Sequence, residues 1–181
     1  MKTVLVAVTG GIAAYKALDV ITGLKANNFC VQVMATQNAF NFVTESCLKV
    51  ACDHYYEDTK SEPVHILATD YFLRAFVIVP ATANIMGKIV AGIADDLVSS
   101  TVLAIDEEVP KIICPAMNTR MWNNQVVQRN IKNLKEMGWY VIPPVEGKLA
   151  CGTTGRGKLD KPRSIVNQIL KIVENHHVKT N

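Results

Sequence analysis

The residues able to do chemistry gather in a few short stretches. Pro115-Ala116-Met117-Asn118-Thr119-Arg120-Met121-Trp122 follows the apolar run Ile112-Ile113-Cys114 and sets an amide, two thioethers and an indole where a strand should end. A strand-to-helix connection needs only a turn and a cap. This one carries far more bulk, so it reads as the floor or wall of a site at the carboxyl end of a parallel sheet, where open α/β folds bind ligands. Leu149 to Gly157 is a glycine-rich loop with Cys151 near its head. A thiol of ordinary pKa, about 8.5, is a usable acid near neutral pH. Cys114 lies inside an apolar run and reads as structural. Thr9-Gly10-Gly11-Ile12 ends the first apolar run: it is either a tight turn and nothing more, or a set of free N–H groups at a helix N-terminus that can hold a phosphate. Thr36 follows the second apolar run, as a helix cap or as a hydroxyl facing a ligand, with Asn38 and Phe40 behind it. Pro80-Ala81-Thr82-Ala83-Asn84 offers small residues, a hydroxyl and an amide, which let backbone come close to a flat ligand. His65 falls in the first turn of an expected helix, a position more often structural than catalytic.

The elements that must position these groups alternate along the chain. Residues 3–8, 30–35, 75–79, 111–114 and 139–142 are short apolar, β-prone runs of the kind buried on both faces of a parallel sheet. Between them Ile12, Tyr15, Leu18, Ile21 and Leu24 recur at helical spacing, as do Val126-Val127, Ile131, Leu134 and Met137. Further helices are expected over about 63–73, 84–90, 97–105 and from Pro162 onward. Residues 44–63 are the least regular, and a sixth strand fits within 50–60. Alternation without an internal repeat or linker predicts one doubly wound domain spanning residues 1–181, with a polar tail from about residue 175: a three-layer Rossmann-like (flavodoxin-like) α/β fold on a parallel sheet of five or six strands.

Composition bounds the function class. Of 181 residues, 49% are hydrophobic and 19% charged, enough for a full core. A formal charge of +3, spread along the sequence, is too weak and diffuse to indicate nucleic acid. No apolar run approaches the roughly 20 residues that span a bilayer. Five cysteines, without a C-x-x-C, argue against a disulfide framework and for a reducing compartment, so a cytoplasmic protein is expected. The histidines show no metal-ligand spacing with the cysteines, and no metal is expected. There is no Walker lysine after the first turn, and no acidic residue follows the second strand where a dinucleotide ribose would need one. FMN suits the pattern better: one phosphate for Gly10-Gly11-Ile12, and a planar ring for a surface of small and apolar residues.

Taken in order, Thr9-Gly-Gly-Ile-Ala-Ala-Tyr-Lys16, Pro80–Asn84 with Gly87-Lys88-Ile89, Gly92-Ile-Ala-Asp-Asp-Leu97, Pro115–Trp122 and Leu149-Ala-Cys-Gly152 resemble the homo-oligomeric flavin-containing cysteine decarboxylases, over nearly the whole chain from Val4 to about Pro162. The resemblance implies FMN as a tightly bound cofactor, trimers or a dodecamer of trimers as the assembly, and sites built between subunits. It implies conversion of 4'-phosphopantothenoylcysteine to 4'-phosphopantetheine in coenzyme A biosynthesis. The route runs through oxidation of the thiol-bearing carbon to a thioaldehyde, loss of carbon dioxide and reduction of the resulting ene-thiol. It assigns His65 as base or electrostatic partner, Asn118 as the amide holding the substrate carboxylate, Met121 and Ala150 as substrate neighbours, and Cys151 as the final proton donor. The expected cofactor contacts are Gly10, Gly11, Ile12, Thr36, Phe40, Pro80, Ala81, Thr82, Ala83, Asn84 and Ser99. Arg156 and Lys158 are expected to face the substrate phosphate. Gly11 stands where the family commonly has serine, so backbone would replace one side-chain phosphate contact. Many bacterial relatives fuse this domain to a synthetase; here the synthetase is expected as a separate polypeptide. Two other readings are a decarboxylase of peptidyl C-terminal cysteine on the same fold and a flavin-binding regulatory subunit without turnover. The presence of both His65 and Cys151 speaks against the second. A flavin prenyltransferase relative is disfavoured by the Asn118 motif and Cys151.

Overall fold

The computed structural model describes residues 2–57 and 72–180, with the side chains of 177–180 left aside. Six strands form one parallel sheet in the order β3-β2-β1-β4-β5-β6: β1 (Thr3–Val8), β2 (Cys30–Ala35), β3 (His54–Tyr56), β4 (Leu73–Ala81), β5 (Lys111–Pro115) and β6 (Tyr140–Val141). The sixth strand expected within residues 50–60 is β3, at the sheet edge. Helices α1 (Ala17–Lys25), α2 (Glu45–Ala51), α3 (Ala83–Ala91), α4 (Leu97–Ala104), α5 (Thr119–Trp122), α6 (Gln125–Glu136) and α7 (Pro162–Thr180) complete the layers.

The apolar runs are continuous because each strand of the sheet's centre is buried on both sides. Side chains alternate between faces along a strand. Val4, Val6 and Val8 of β1 join Val31, Val33, Ala75, Val77 and Val79 in one core, packed with Ile21 and Leu24 of α1 and Ile165 and Ile169 of α7. Leu5 and Ala7 join Met34, Phe76, Ile78 and Ile113 in the other, under Ile85 and Met86 of α3, Val98 of α4 and Ile131 and Leu134 of α6. Burial of a Val, Leu or Ile side chain stabilises by about 1.5–3 kcal/mol, so this two-faced sheet is the stiff part of the molecule.

Four features differ from the sequence reading. Regular helix begins at Ala17, after a 3-10 turn at Ala14–Lys16, and not near Ile12; Ile12 and Tyr15 are 61% and 54% exposed. Leu73, expected to close a helix, opens β4, which continues through Pro80 and Ala81 instead of stopping at Val79. The glycine-rich loop is an antiparallel hairpin, β7 (Val145–Lys148) with β8 (Thr154–Lys158). Helix α7 continues to Thr180, through the residues expected to be a polar tail, with His176 Nε2 2.6 Å from the carbonyl of Glu108.

Candidate active site

Strand order reverses between β1 and β4: β2 lies on one side of β1 and β4 on the other. The connections that leave two such strands run to opposite faces of the sheet, and a crevice lies between them. Here side-chain hydrogen bonds fix its floor. Thr9, 1% exposed, donates its hydroxyl to the carbonyl of Pro80 at 2.8 Å and accepts the N–H of Thr82 at 3.1 Å. Thr82 then caps α3, its Oγ1 accepting the N–H of Ile85 at 3.3 Å. The threonine that ends the first apolar run thus ties the two strand ends together.

The turn after Thr9 packs on the segment following β2. A Cβ on Gly10 would stand 2.6 Å from Cβ of Asn38 and 2.7 Å from its backbone, so no larger residue fits. Among the described residues, the N–H groups of Gly10, Gly11 and Ile12 meet no acceptor. Three consecutive unfilled donors at the start of a helical segment suit an anionic oxygen.

The second wall is the stretch after β5. The N–H of Ala116 donates to Ala81 at 3.0 Å, and the N–H of Met117 donates to Gly157 of β8 at 3.0 Å. Asn118 caps the short α5, its Oδ1 accepting the N–H of Met121 at 2.8 Å. Capping consumes the oxygen and leaves Nδ2, with two N–H donors, for another partner. Trp122 is 8% exposed in the core under α6 and anchors the stretch, while Met121 is 43% exposed.

The hairpin closes the third side. At its tip the N–H of Leu149 donates to Thr153 at 2.8 Å and that of Gly152 to Leu149 at 2.9 Å. Cys151 is exposed there, with Sγ 3.1 Å from the hydroxyl of Thr153. The side-chain and backbone hydrogen bonds of Thr153 hold the Cys151 thiol below its usual pKa. Cys114, wholly buried in β5, has its thiol pushed far up by burial, and is inert. None of the five cysteines is joined in a disulfide. Together the three walls enclose a cavity of about 890 Å³, lined among others by Gly10, Gly11, Ile12, Thr82, Ala83, Asn118, Met121, Ala150 and Cys151. That volume falls within the roughly 300–1,000 Å³ of small-molecule and cofactor pockets.

A family model described as Flavoprotein matches residues 1–174. The chain belongs to the Flavoprotein family. The coenzyme A biosynthesis bifunctional protein CoaBC of Bacillus subtilis is 39% identical over 181 residues, covering 97% of this chain and 43% of that protein. The chain therefore spans less than half of that relative. A probable phosphopantothenoylcysteine decarboxylase of Streptococcus mutans is 36% identical over 173 residues, covering 93% of this chain and 97% of the relative. Among solved structures, a Cys→Ser mutant of PPC decarboxylase complexed with pantothenoylaminoethenethiol superposes with a TM-score of 0.85 at 30% identity, covering 96% of this chain and 98% of the other. The FMN binding protein AtHal3 gives 0.82 at 30% identity, covering 96% and 97%.

Of the residues expected in this flavoprotein's site, the structure brings Gly10, Gly11, Ile12, Thr82, Ala83, Asn118, Met121, Ala150 and Cys151 to one cavity. Pro80 and Ala81 stand behind its wall in β4, Pro80 as acceptor for Thr9. Thr36, Phe40, Asn84 and Ser99 are not on its lining. Thr36 starts the 3-10 turn Gln37–Asn41, and Phe40 packs on the core beside it. Ser99 is 1% exposed and its hydroxyl completes a capping box with Asp96. Arg156 turns away: its Nε donates to Pro144 at 3.2 Å in a separate cleft. His65 lies outside the described residues. Met117, in the stretch read as the floor or wall of a site, is on the lining, together with Tyr15, Lys16 and Lys148, which the sequence does not single out as site residues. Tyr15 and Lys16 fall within a helical pattern, and only the glycine pair before them signals that the chain has not yet entered the helix.

Proposed function

We propose that this chain decarboxylates 4'-phosphopantothenoylcysteine to 4'-phosphopantetheine in coenzyme A biosynthesis, using FMN. The observation that carries the reading is the convergence of a free amide donor on Asn118 and an exposed thiol on Cys151 across one cavity whose rim presents the unfilled N–H groups of Gly10–Ile12. The relatives and the PPC decarboxylase structure support it, and AtHal3 supports FMN as the flavin.

The residues present fit that cofactor. Gly10, Gly11 and Ile12 would hold its phosphate through backbone, since Gly10 cannot carry a side chain against Asn38; Thr82, Ala83 and Ile12 would offer the small and apolar bed that a planar ring needs. When bound, FMN supplies the acceptor for a hydride from the thiol-bearing carbon and its return after carbon dioxide has left. Asn118 orients the substrate carboxylate through Nδ2, because its Oδ1 is fixed by Met121 N–H. Met121 and Ala150 bound the substrate and exclude water. Cys151 gives a proton from Sγ to the carbon next to the thiol-bearing one in the ene-thiol. His65 is the proposed base or electrostatic partner of the oxidation. The assembly is a trimer, or a dodecamer built of trimers, with the site between subunits, acting in the cytoplasm beside a synthetase that furnishes the cysteine conjugate.

Purified protein reconstituted with FMN is expected to release carbon dioxide from phosphopantothenoylcysteine with formation of phosphopantetheine, while a peptide ending in cysteine is not consumed. A flavin-loaded protein that turns over neither substrate, or only the peptide, would sink the proposal.

A further inference from the structure

Among the described residues, the cavity lining carries three lysines, Lys16, Lys148 and Lys158, and no aspartate or glutamate. Two of them lie on the hairpin that also carries Cys151. Among the described residues, neither Lys148 nor Lys158 takes part in an ion pair. Unneutralised ammonium groups on one wall of a cavity raise the local concentration of an anion and favour its binding.

Lys158 is held in place by what is missing opposite it. Its stem crosses to the partner strand at Gly147, where a Cβ would stand 3.0 Å from its Cδ and 3.6 Å from its Nζ. Glycine at 147 therefore leaves the channel along which the ammonium lies. On the same strand, the carbonyl of Gly157 accepts the N–H of Met117, so the base of Lys158 is fixed to the wall that bears Asn118.

Given the proposed substrate, on which this step rests, we infer that Lys158, assisted by Lys148, binds the substrate's terminal phosphate and makes the site select phosphorylated over unphosphorylated pantothenoylcysteine. Twelve bonds separate the thiol-bearing carbon from phosphorus and reach at most about 14 Å, at roughly 3.5 Å per three bonds. The Lys158 ammonium lies beside Gly147, which pairs with Gly155, one residue from Thr154 next to the tip that carries Cys151. A substrate with its reacting end at Cys151 thus has the reach to set its phosphate against that ammonium. One hairpin then carries both the proton donor and the specificity contact. Arg156, the other basic residue expected there, is excluded by its bond to Pro144.

The phosphate monoester of FMN is the rival ligand, and the test separates the two. Wild-type protein and the Lys158→Gln and Lys158→Arg variants are loaded with FMN. Each is titrated with phosphopantothenoylcysteine and with pantothenoylcysteine through changes in the flavin absorbance bands, and carbon dioxide release is followed in parallel. Apo forms are titrated with FMN alone. A charge-assisted phosphate contact is expected to give wild type about a tenfold or greater preference for the phosphorylated compound. The preference should collapse several-fold in Lys158→Gln through KM with kcat retained, and recover in Lys158→Arg, with FMN affinity the same in all three. A preference unchanged in Lys158→Gln, no preference in wild type, or a loss confined to FMN affinity would each overturn the inference. Preferential binding lost in Lys158→Gln, in a protein that releases no carbon dioxide, would uphold the phosphate contact and remove the decarboxylase reading.

Discussion

At the residue scale, two side chains are asked to do two jobs each, and the geometry separates the jobs. Asn118 caps α5 through Oδ1 and is proposed to hold a carboxylate through Nδ2. An aspartate keeps the cap, because its oxygen still accepts the N–H of Met121, but replaces the donor by a negative charge facing a carboxylate. Asn118→Asp is therefore expected to melt near the wild-type temperature while kcat/KM falls by about 10²-fold or more, in line with the loss of a hydrogen bond to a charged group plus repulsion. A large drop in melting temperature with kcat/KM retained would assign Asn118 to the cap alone. Cys151 is proposed as the last proton donor, so Cys151→Ser should still release carbon dioxide but accumulate the ene-thiol instead of phosphopantetheine, read by mass spectrometry. Normal phosphopantetheine formation in that variant would remove Cys151 from the final step. Thr153 tunes the thiol: its hydrogen bonds favour the thiolate and lower the pKa. Removing the hydroxyl takes away that support, so in Thr153→Val the midpoint of Cys151 alkylation against pH is expected to move upward. A midpoint that stays in place or moves down would show that the hydroxyl does not stabilise the thiolate.

At the element scale, the site depends on how the β7–β8 hairpin docks, and this was the part the sequence hid. The parallel sheet was legible because Val4–Val8, Val31–Ala35 and Ala75–Val79 are buried on both faces, a condition that leaves a continuous apolar signature. The hairpin strands are short and mostly exposed, and they read Val-Glu-Gly-Lys and Thr-Gly-Arg-Gly-Lys, so neither alternation nor apolar content marks them. Their pairing is specified by contact with another element. Gly157 has φ +149°, and a Cβ there would stand 2.2 Å from the carbonyl of Met117. Tyr15 and Ile12 were misplaced for the related reason that helical spacing does not reveal where the first turn begins. The prediction belongs to the hairpin: Gly157→Ala should destabilise the docked state by about 1–3 kcal/mol, speeding hydrogen exchange across residues 145–158 while the amides of β1 and β4 keep their protection. Exchange that is unchanged in the hairpin, or raised equally throughout, would show that the docking is not a separable unit.

At the scale of the whole molecule, a rigid sheet presents a reactive edge that one chain leaves partly uncovered. The two-sided core fixes Thr9, Pro80 and Thr82 at the switch point, while Ile12, Tyr15 and Met121, all on the cavity lining, remain 61%, 54% and 43% exposed. Apolar groups that line a ligand site gain little from a ligand that leaves them in water on the other side; a second surface closing over them would remove that area as well, at about 25 cal/mol per Å². The proposed trimer supplies such a surface, which links assembly to cofactor affinity. A ligand that binds only the assembled form stabilises that form, and the coupling acts in both directions. Sedimentation of the flavin-loaded protein is accordingly expected to show a species of three times the chain mass of 19.9 kDa, or a multiple of it. On serial dilution, flavin fluorescence should rise over the same concentration range in which that species falls apart, and added FMN should shift the range downward. A chain that sediments as a monomer and keeps its flavin would show that one copy builds the whole site, and would leave the exposure of Ile12 and Tyr15 to another cause.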